Sequence, residues 1–172
     1  PGLVNEFLEH STLAFKFPRN RLLGRPYYSY WDHHSSRPVG TLLGACMMFR
    51  REAFEALGGF DERFFLYFEE VDLCTRMHRA GWQVWYVHTC RLLHEGHKSV
   101  IREYGSLNPL FLVYFESAEK YFKKHHGKRY AHLWRLMLAW LYLIRFLLRR
   151  RPEMWTYFKW GLGRVQHHHA NL

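Results

Sequence analysis

Cysteine is scarce in this sequence of 172 residues, which contains three: Cys46, Cys74 and Cys90. They lie far apart and form no CxxC pair, which argues against a disulfide framework and against a zinc knuckle. The pattern favours reduced thiols that pack as small hydrophobes. We therefore expect a cytosolic setting rather than a secreted one.

A secretion signal is also missing from the first part of the sequence. Residues 1–25 contain no uninterrupted apolar core of the kind that a signal peptide requires. The first residue is proline rather than methionine. From this we expect that the sequence begins at a cut within a longer protein.

Acidic residues are outnumbered by basic ones. The 25 Lys and Arg against 15 Asp and Glu give a formal net charge of +10. Such a charge attracts anions, including phosphates, nucleic acids and acidic lipid headgroups. With a hydrophobic content of 48%, the chain can form one domain with a core and an appended helical piece.

Strand and helix patterns alternate in the middle of the chain. The continuous apolar run 41–49 predicts a buried strand, and residues 51–57 predict a short helix that stops at a pair of glycines. Apolar residues at helical spacing predict a second helix over 69–80, and residues 83–89 predict another strand. This order indicates an α/β fold.

Helical patterns replace the strand patterns after residue 108, and we divide the chain into segments 1–108 and 109–172. Helices are predicted over 110–124 and 132–150. The stretch LWRLMLAWLYLIRFLLRRR is too short and too interrupted for a transmembrane span, which takes about 20 mostly apolar residues. Its aromatic residues and arginines favour a helix at the membrane interface. The alternative is a helix packed against the rest of the protein.

Acidic residues are threaded among phenylalanines in FDERFFLYFEEVDLCTRM, residues 60–77. Ionised carboxylates resist burial unless a cation meets them, so these acids either face solvent or line a site. On the first interpretation Glu69 and Glu70 occupy the first turn of a helix, where the helix dipole favours acids, and Asp72 pairs with Arg76 at i,i+4. Both interpretations stay open on these residues alone.

The longer stretch GACMMFRREAFEALGGFDERFFLYFEEVDLCTRMHRAGWQVWYV, followed by HEGHKS, resembles the C-terminal half of the catalytic domain of family 2 glycosyltransferases. The likeness is to the rhamnosyltransferase-like branch, and it extends from about residue 16 to about residue 126. The resemblance implies a partial GT-A fold, with a mixed sheet between helices, and a helical C-terminal segment. It also implies transfer of a sugar, with inversion, from a nucleotide-diphosphate donor to a cell-surface polysaccharide or lipid-linked acceptor.

Inverting transfer explains why a carboxylate is needed, because the attacking acceptor hydroxyl must lose its proton as the new bond forms. The family's base position falls on Glu70, where the usual residue is Asp, with Glu69 and Asp72 as the neighbouring candidates. The resemblance further implies a set of substrate-binding residues: Gly44, Ala45, Arg76, Trp82 and Ser99.

A divalent cation is expected on the donor's phosphates, since it stabilises the negative charge of the leaving group. The resemblance assigns His94, in the loop His94, Gly96 and Ser99, as a ligand for Mn²⁺ or Mg²⁺. The family often has a second glycine where this chain has His97. We find no DxD motif on a strand end, and therefore expect that the chain carries the acceptor-side half of an enzyme and is inactive alone.

The expected location is the cytoplasmic face of the cell membrane, with peripheral membrane contact. A non-catalytic, basic membrane-surface protein is the main alternative, because the terminal helix supports it independently. A nucleic-acid-binding protein is not expected, since no recognised DNA or RNA module is found. A histidine-based metal binder without catalysis is a weaker alternative, because the histidines lack ligand spacing.

Overall fold

The computed structural model describes residues 1–93 and 108–164. In chain order the elements are α1 Leu3–Ser11, α2 Leu13–Lys16, a 3₁₀ turn Arg25–Tyr27, β1 Arg37–Pro38, α3 Arg51–Ala56, α4 Glu69–Arg79, β2 Trp85–Tyr86, α5 Asn108–His126, α6 Lys128–Arg149 and α7 Pro152–Gly161. They fall into two compact units. The helical unit comprises Pro1–Asp32 and the chain from Phe122 onward, and the site unit comprises His33–Tyr121.

The helical unit is organised around α6, which packs against both α1 and α7. Its main buried side chains are Leu8, Ala131, Trp134, Leu138, Leu141, Tyr142, Met154, Tyr157 and Trp160. The α6 and α7 backbones approach closely because Gly161 faces Ala139. A Cβ at Gly161 would lie 2.8 Å from the Ala139 Cβ, so this crossing requires a residue without a side chain.

A buried polar network joins α1 to α6. The Glu6 side chain is only 1% exposed, and the indole Nε1 of Trp134 donates to its Oε2 at 3.1 Å. The Tyr142 hydroxyl lies 3.2 Å from His10 Nδ1, and Arg145 Nη1 donates to the His10 carbonyl at 2.7 Å. These bonds offset the cost of burying the polar groups of α1.

The site unit combines α3, α4, the small sheet and the first part of α5. Strands β1 and β2 pair antiparallel, with Arg37 opposite Tyr86 and Pro38 opposite Trp85. The Val39 amide extends the pairing by donating to the Val84 carbonyl at 2.9 Å. The core of this unit consists of Phe64, Phe68, Leu73, Cys74, Met77, Val113, Phe115 and Tyr121.

The structure confirms the predicted helices closely. The helix predicted over 69–80 is α4, and Gly81 follows it with a φ of +85°. The helix predicted over 51–57 is α3, and the glycine pair after it also has positive φ. The predictions over 110–124 and 132–150 correspond to α5 and α6. These helices could be predicted because helical periodicity and a terminal glycine are both visible in a short stretch of sequence.

The predicted strands and mixed sheet are corrected. Residues 41–49 are irregular, and Met48 within them is 97% exposed. Of residues 83–89, Trp85–Tyr86 alone form a strand, and within the described parts of the chain the sheet is this two-stranded ladder. A continuous apolar run indicates that a segment tends to be buried. A strand also needs a neighbouring strand that forms hydrogen bonds with its backbone groups.

Two further expectations can be compared with the fold. All three cysteines are free, but Cys74 alone among them is buried, while Cys46 and Cys90 are exposed. Packing as a small hydrophobe therefore applies to Cys74. The compact units divide the chain differently from the boundary at residue 108, and the functional division at that boundary stays a prediction.

Candidate active site

The carboxylate pair is presented by an unusual turn before α4. Tyr67 and Phe68 have φ angles of +66° and +68°, the left-handed region that residues other than glycine rarely adopt. Each such residue costs about 1 kcal/mol or more. The turn places Glu69 and Glu70 in the first turn of α4, whose ladder begins with the Asp72 amide donating to the Phe68 carbonyl at 2.8 Å.

Contacts from α5 hold this strained turn in place. Phe68 is buried, with ring centroids 5.2 Å from Tyr114 and 5.4 Å from Tyr121. The Ser117 hydroxyl donates to the Leu66 carbonyl at 2.7 Å. Aromatic packing and this hydrogen bond supply the stabilisation that offsets the backbone strain.

Both glutamates carry a buried oxygen that is free of hydrogen bonds. These atoms are Glu69 Oε2 and Glu70 Oε2. Burial and the neighbouring Glu69 carboxylate raise the pKa of Glu70 above its ordinary value, partly opposed by the backbone amides of Glu70 and Val71. A carboxylate in such surroundings binds a proton more strongly than one in water, which suits it to act as a base.

Gly44 lies against this carboxylate pair. A Cβ at Gly44 would be 3.8 Å from both Glu69 Oε1 and the Glu70 carboxyl carbon. Two residues before Gly44, the backbone amide of Leu42 lies beside the thiol of Cys74 on α4. Burial raises the pKa of this thiol. The segment around Gly44 therefore runs along α4, and Gly44 lies beside the glutamates although residues 41–49 do not form the predicted strand.

Tyr67 is a member of this site that the sequence analysis missed. Burial, followed by the charges of Glu69 and Glu70, raises the pKa of its hydroxyl. The signal available in the sequence was its position two residues before Glu69. We define the carboxylate site as Gly44, Tyr67, Glu69 and Glu70.

Asp72 and Arg76, predicted as catalytic and substrate-binding, form a largely buried ion pair. Arg76 Nε donates to Asp72 Oδ2 at 2.7 Å, and the Asp72 side chain is 0% exposed. The other guanidinium nitrogens donate to the carbonyls of Leu57 and Gly59, each at 2.7 Å. These contacts tie α4 to the turn after α3, and the roles of Asp72 and Arg76 towards substrate stay predictions.

Two of the four remaining predicted site residues, Ala45 and Trp82, lie in the described part of the chain. Ala45 is exposed beside Gly44. Trp82 follows the far end of α4, with its amide donating to the Met77 carbonyl, and that end lies roughly 13 Å along the helix axis from Glu70. His94 and Ser99 lie outside the described residues.

The donor atoms of the carboxylate site are suited to a divalent cation only in part. Glu69 and Glu70 offer oxygen atoms of the type that Mg²⁺ and Mn²⁺ prefer. Within residues 1–93 and 108–164, however, no group of three or more His, Cys, Asp or Glu side chains is placed to hold a metal ion. The described residues therefore do not form a complete metal site.

The family described as "Glycosyl transferase family group 2" matches residues 21–166. The chain belongs to this family. Its members have a GT-A type catalytic domain, so the acid pair at the start of α4 lies in a glycosyltransferase domain.

Several curated proteins are similar to this glycosyltransferase chain. It is 38% identical to an N-acetylglucosaminyl-diphospho-decaprenol L-rhamnosyltransferase of Mycobacterium tuberculosis, over 81% of this chain and 43% of that protein. It is 27% identical to a low-salt glycan biosynthesis hexosyltransferase of Haloferax volcanii, over 70% of this chain and 40% of that protein. A rhamnosyltransferase of Escherichia coli is 34% identical over 37% of this chain and 24% of that protein. The chain thus spans less than half the length of these relatives, and no solved structure matches it significantly.

Proposed function

We propose that this chain is the base-bearing, acceptor-side part of an inverting glycosyltransferase. The observation that carries the proposal is Glu70, a half-buried carboxylate with an unpartnered oxygen and a raised pKa, at the family's base position. A non-catalytic membrane-surface protein, the alternative from the sequence, gives no reason for keeping two unpaired carboxylate oxygens buried together.

The proposed step is a single displacement at the anomeric carbon. The acceptor hydroxyl oxygen forms the new bond, the bond from the anomeric carbon to the diphosphate oxygen breaks, and the hydroxyl proton passes to Glu70 Oε2. Glu69 supports this transfer, because its adjacent charge raises the proton affinity of Glu70. Gly44 lies against the carboxylates, and we propose that its lack of a side chain leaves room for the acceptor.

The donor is a nucleotide-diphosphate sugar, with rhamnose as the proposed sugar, and the acceptor is a polyprenyl-linked or cell-surface glycan at the cytoplasmic membrane face. Support comes from the relatives, two of which are named rhamnosyltransferases, one of them for a decaprenol-linked sugar. Family members generally use a divalent cation, which would stabilise the departing diphosphate. His94 stays the predicted ligand, and the remaining ligands are proposed to lie outside this chain, which would make the chain inactive alone.

Substitution of the base in a complete enzyme that carries this segment tests the proposal. Glu70→Gln should lower kcat about 10²-fold or more, because loss of a general base costs roughly 10² to 10⁴ in rate. Donor binding, measured by nucleotide-sugar titration, should change little. The matched control is Glu62→Gln, the same substitution at an exposed residue of the preceding loop, which should leave kcat unchanged.

The Glu69→Gln variant provides a second test, through the pH dependence of kcat/KM. A purely structural role of Glu69 would not change this pH dependence. Removing the Glu69 charge should lower the pKa of Glu70 and shift the acidic limb of the kcat/KM profile to lower pH. Equal turnover by the Glu70→Gln enzyme and its parent would remove the assignment of the base.

A further inference from the structure

Helix α6 presents a continuous apolar face that is not covered within the helical unit. Its exposed side chains are Leu133, Leu136, Trp140, Leu147 and Leu148, and the half-exposed side chains between them are Met137, Leu143 and Ile144. Successive members of the row 133, 136, 140, 143 and 147 are three or four residues apart, so they lie on one side of the helix. Trp140 and Leu147 are 57% and 63% exposed. We call this row and its neighbours the α6 face.

The α6 face contains no charge, although two arginines lie within the same stretch of sequence. Arg135 turns to the opposite side, where its Nη2 donates to the Trp160 carbonyl at 2.8 Å. Arg145 also turns away and donates to the His10 carbonyl. Both cations are thus engaged inside the unit, and the exposed side is left apolar over about four helical turns.

Basic residues stand at both ends of the α6 face. Arg129 and His132 are exposed at its beginning, and Arg149, Arg150 and Arg151 are exposed at its end. An apolar strip with a tryptophan, bounded by arginines, is complementary to the boundary of a membrane whose headgroups are anionic. A protein surface that covered the strip would not by itself require the arginine cluster.

The contacts on the opposite side of α6 indicate whether the helix would lie on a membrane surface or span the bilayer. By length and composition alone, Lys128–Arg149 is the one helix in the described part of the chain that is apolar enough to span a bilayer. Its other side, however, is packed on α1 and α7 and holds the buried Glu6 carboxylate through Trp134. Crossing would expose these polar groups of α1 to hydrocarbon or strip α1 from the helix, at a high cost.

We propose that the α6 face docks on an anionic phospholipid surface, with the helix lying in the interfacial plane and its tryptophan and leucines inserted below the headgroups. The arginines at the two ends contact the phosphates. This inference is independent of the proposed transfer reaction, because it uses no residue of the carboxylate site.

Vesicle sedimentation of the purified chain tests the proposal. The chain should bind phosphatidylcholine vesicles that contain phosphatidylglycerol, bind pure phosphatidylcholine vesicles more weakly, and be partly released by salt. The triple variant Leu136→Gln, Trp140→Gln, Leu147→Gln should bind about tenfold more weakly or worse, because apolar insertion is lost. These positions are exposed, and circular dichroism should show unchanged helix content.

The matched control removes three exposed apolar side chains from the site unit, as Met48→Gln, Leu92→Gln, Leu93→Gln. Its vesicle binding should equal that of the parent. Binding by the triple variant at the parent's level, or equal loss in the control, would overturn the proposal.

Two further outcomes distinguish other uses of the same face. Alkaline carbonate should extract the bound chain, and resistance to extraction would show that α6 crosses the bilayer instead. Failure to bind anionic vesicles, together with a dimer that the triple variant dissociates in sedimentation velocity, would assign the α6 face to a second copy of the chain.

Discussion

Removing Arg76 should destabilise the site unit without acting on substrate directly. In the Arg76→Leu variant the Asp72 carboxylate would stay fully buried but lose its cationic partner at 2.7 Å. Breaking a buried ion pair from one side costs about 3–5 kcal/mol, because a charge is left uncompensated. The carbonyls of Leu57 and Gly59 also lose their donors, but both residues are half-exposed, so water can replace part of this loss.

The size of this effect is large compared with the stability of a typical domain, about 5–15 kcal/mol. Urea unfolding followed by circular dichroism should therefore show a clear fall in the midpoint for Arg76→Leu. The double variant Asp72→Leu, Arg76→Leu should recover much of the loss, since two apolar groups replace both charges. The difference between the single and double variants measures the coupling within the pair.

This experiment separates a structural role from the sequence-based assignment of Arg76 to substrate binding. An Arg76→Leu protein that unfolds within about 1 kcal/mol of the parent would refute the reasoning from burial. A substrate-binding arginine would instead give a protein of normal stability with a raised KM.

Two further predictions concern stability. Glu70→Gln should unfold at higher urea concentration than the parent at pH 7. Burial raises the pKa of Glu70 in the folded parent above its ordinary value of 4.5, so the folded parent binds this proton more strongly than the unfolded chain does. The parent therefore loses stability as the pH rises from 4.5 through the raised pKa, and the Gln variant does not. The gain should shrink towards pH 4.5 and below, and an equal gain at every pH would contradict the assigned cause. Gly161→Val should lower the melting temperature, since its Cβ would lie 2.8 Å from that of Ala139 and overpacking costs about 1–3 kcal/mol; an unchanged melting temperature would show that α6 and α7 can separate freely.

The helices could be predicted from the sequence because their signals are local. The start of α4 is marked by acids in the first turn, and its end by Gly81. The i,i+4 pairing of Asp72 with Arg76 was also readable, since helical spacing alone brings the two side chains together. The spacing did not predict that this pair is largely buried, because its burial depends on contacts with the turn after α3.

The strands could not be predicted in the same way. Residues 41–49 have the composition of a buried strand, but pairing depends on a partner elsewhere in the chain, and residues 41–49 have none within the ladder formed by β1 and β2. The family resemblance predicted site roles for Gly44 and Glu70, and the structure places these two residues next to each other. Tyr67 was missed because a left-handed backbone at an aromatic residue leaves no mark on composition or periodicity.

The left-handed turn at Tyr67 and Phe68 also has an evolutionary consequence. Its strain is tolerated because Phe68 packs on Tyr114 and Tyr121. Replacing any one of these three aromatic residues would remove packing that offsets the strain of the left-handed turn. We expect the turn and the facing side of α5 to covary among homologous chains, and glycine to replace Phe68 where the tyrosines have been lost. The aromatic residues beside the glutamates would then be inherited as one group.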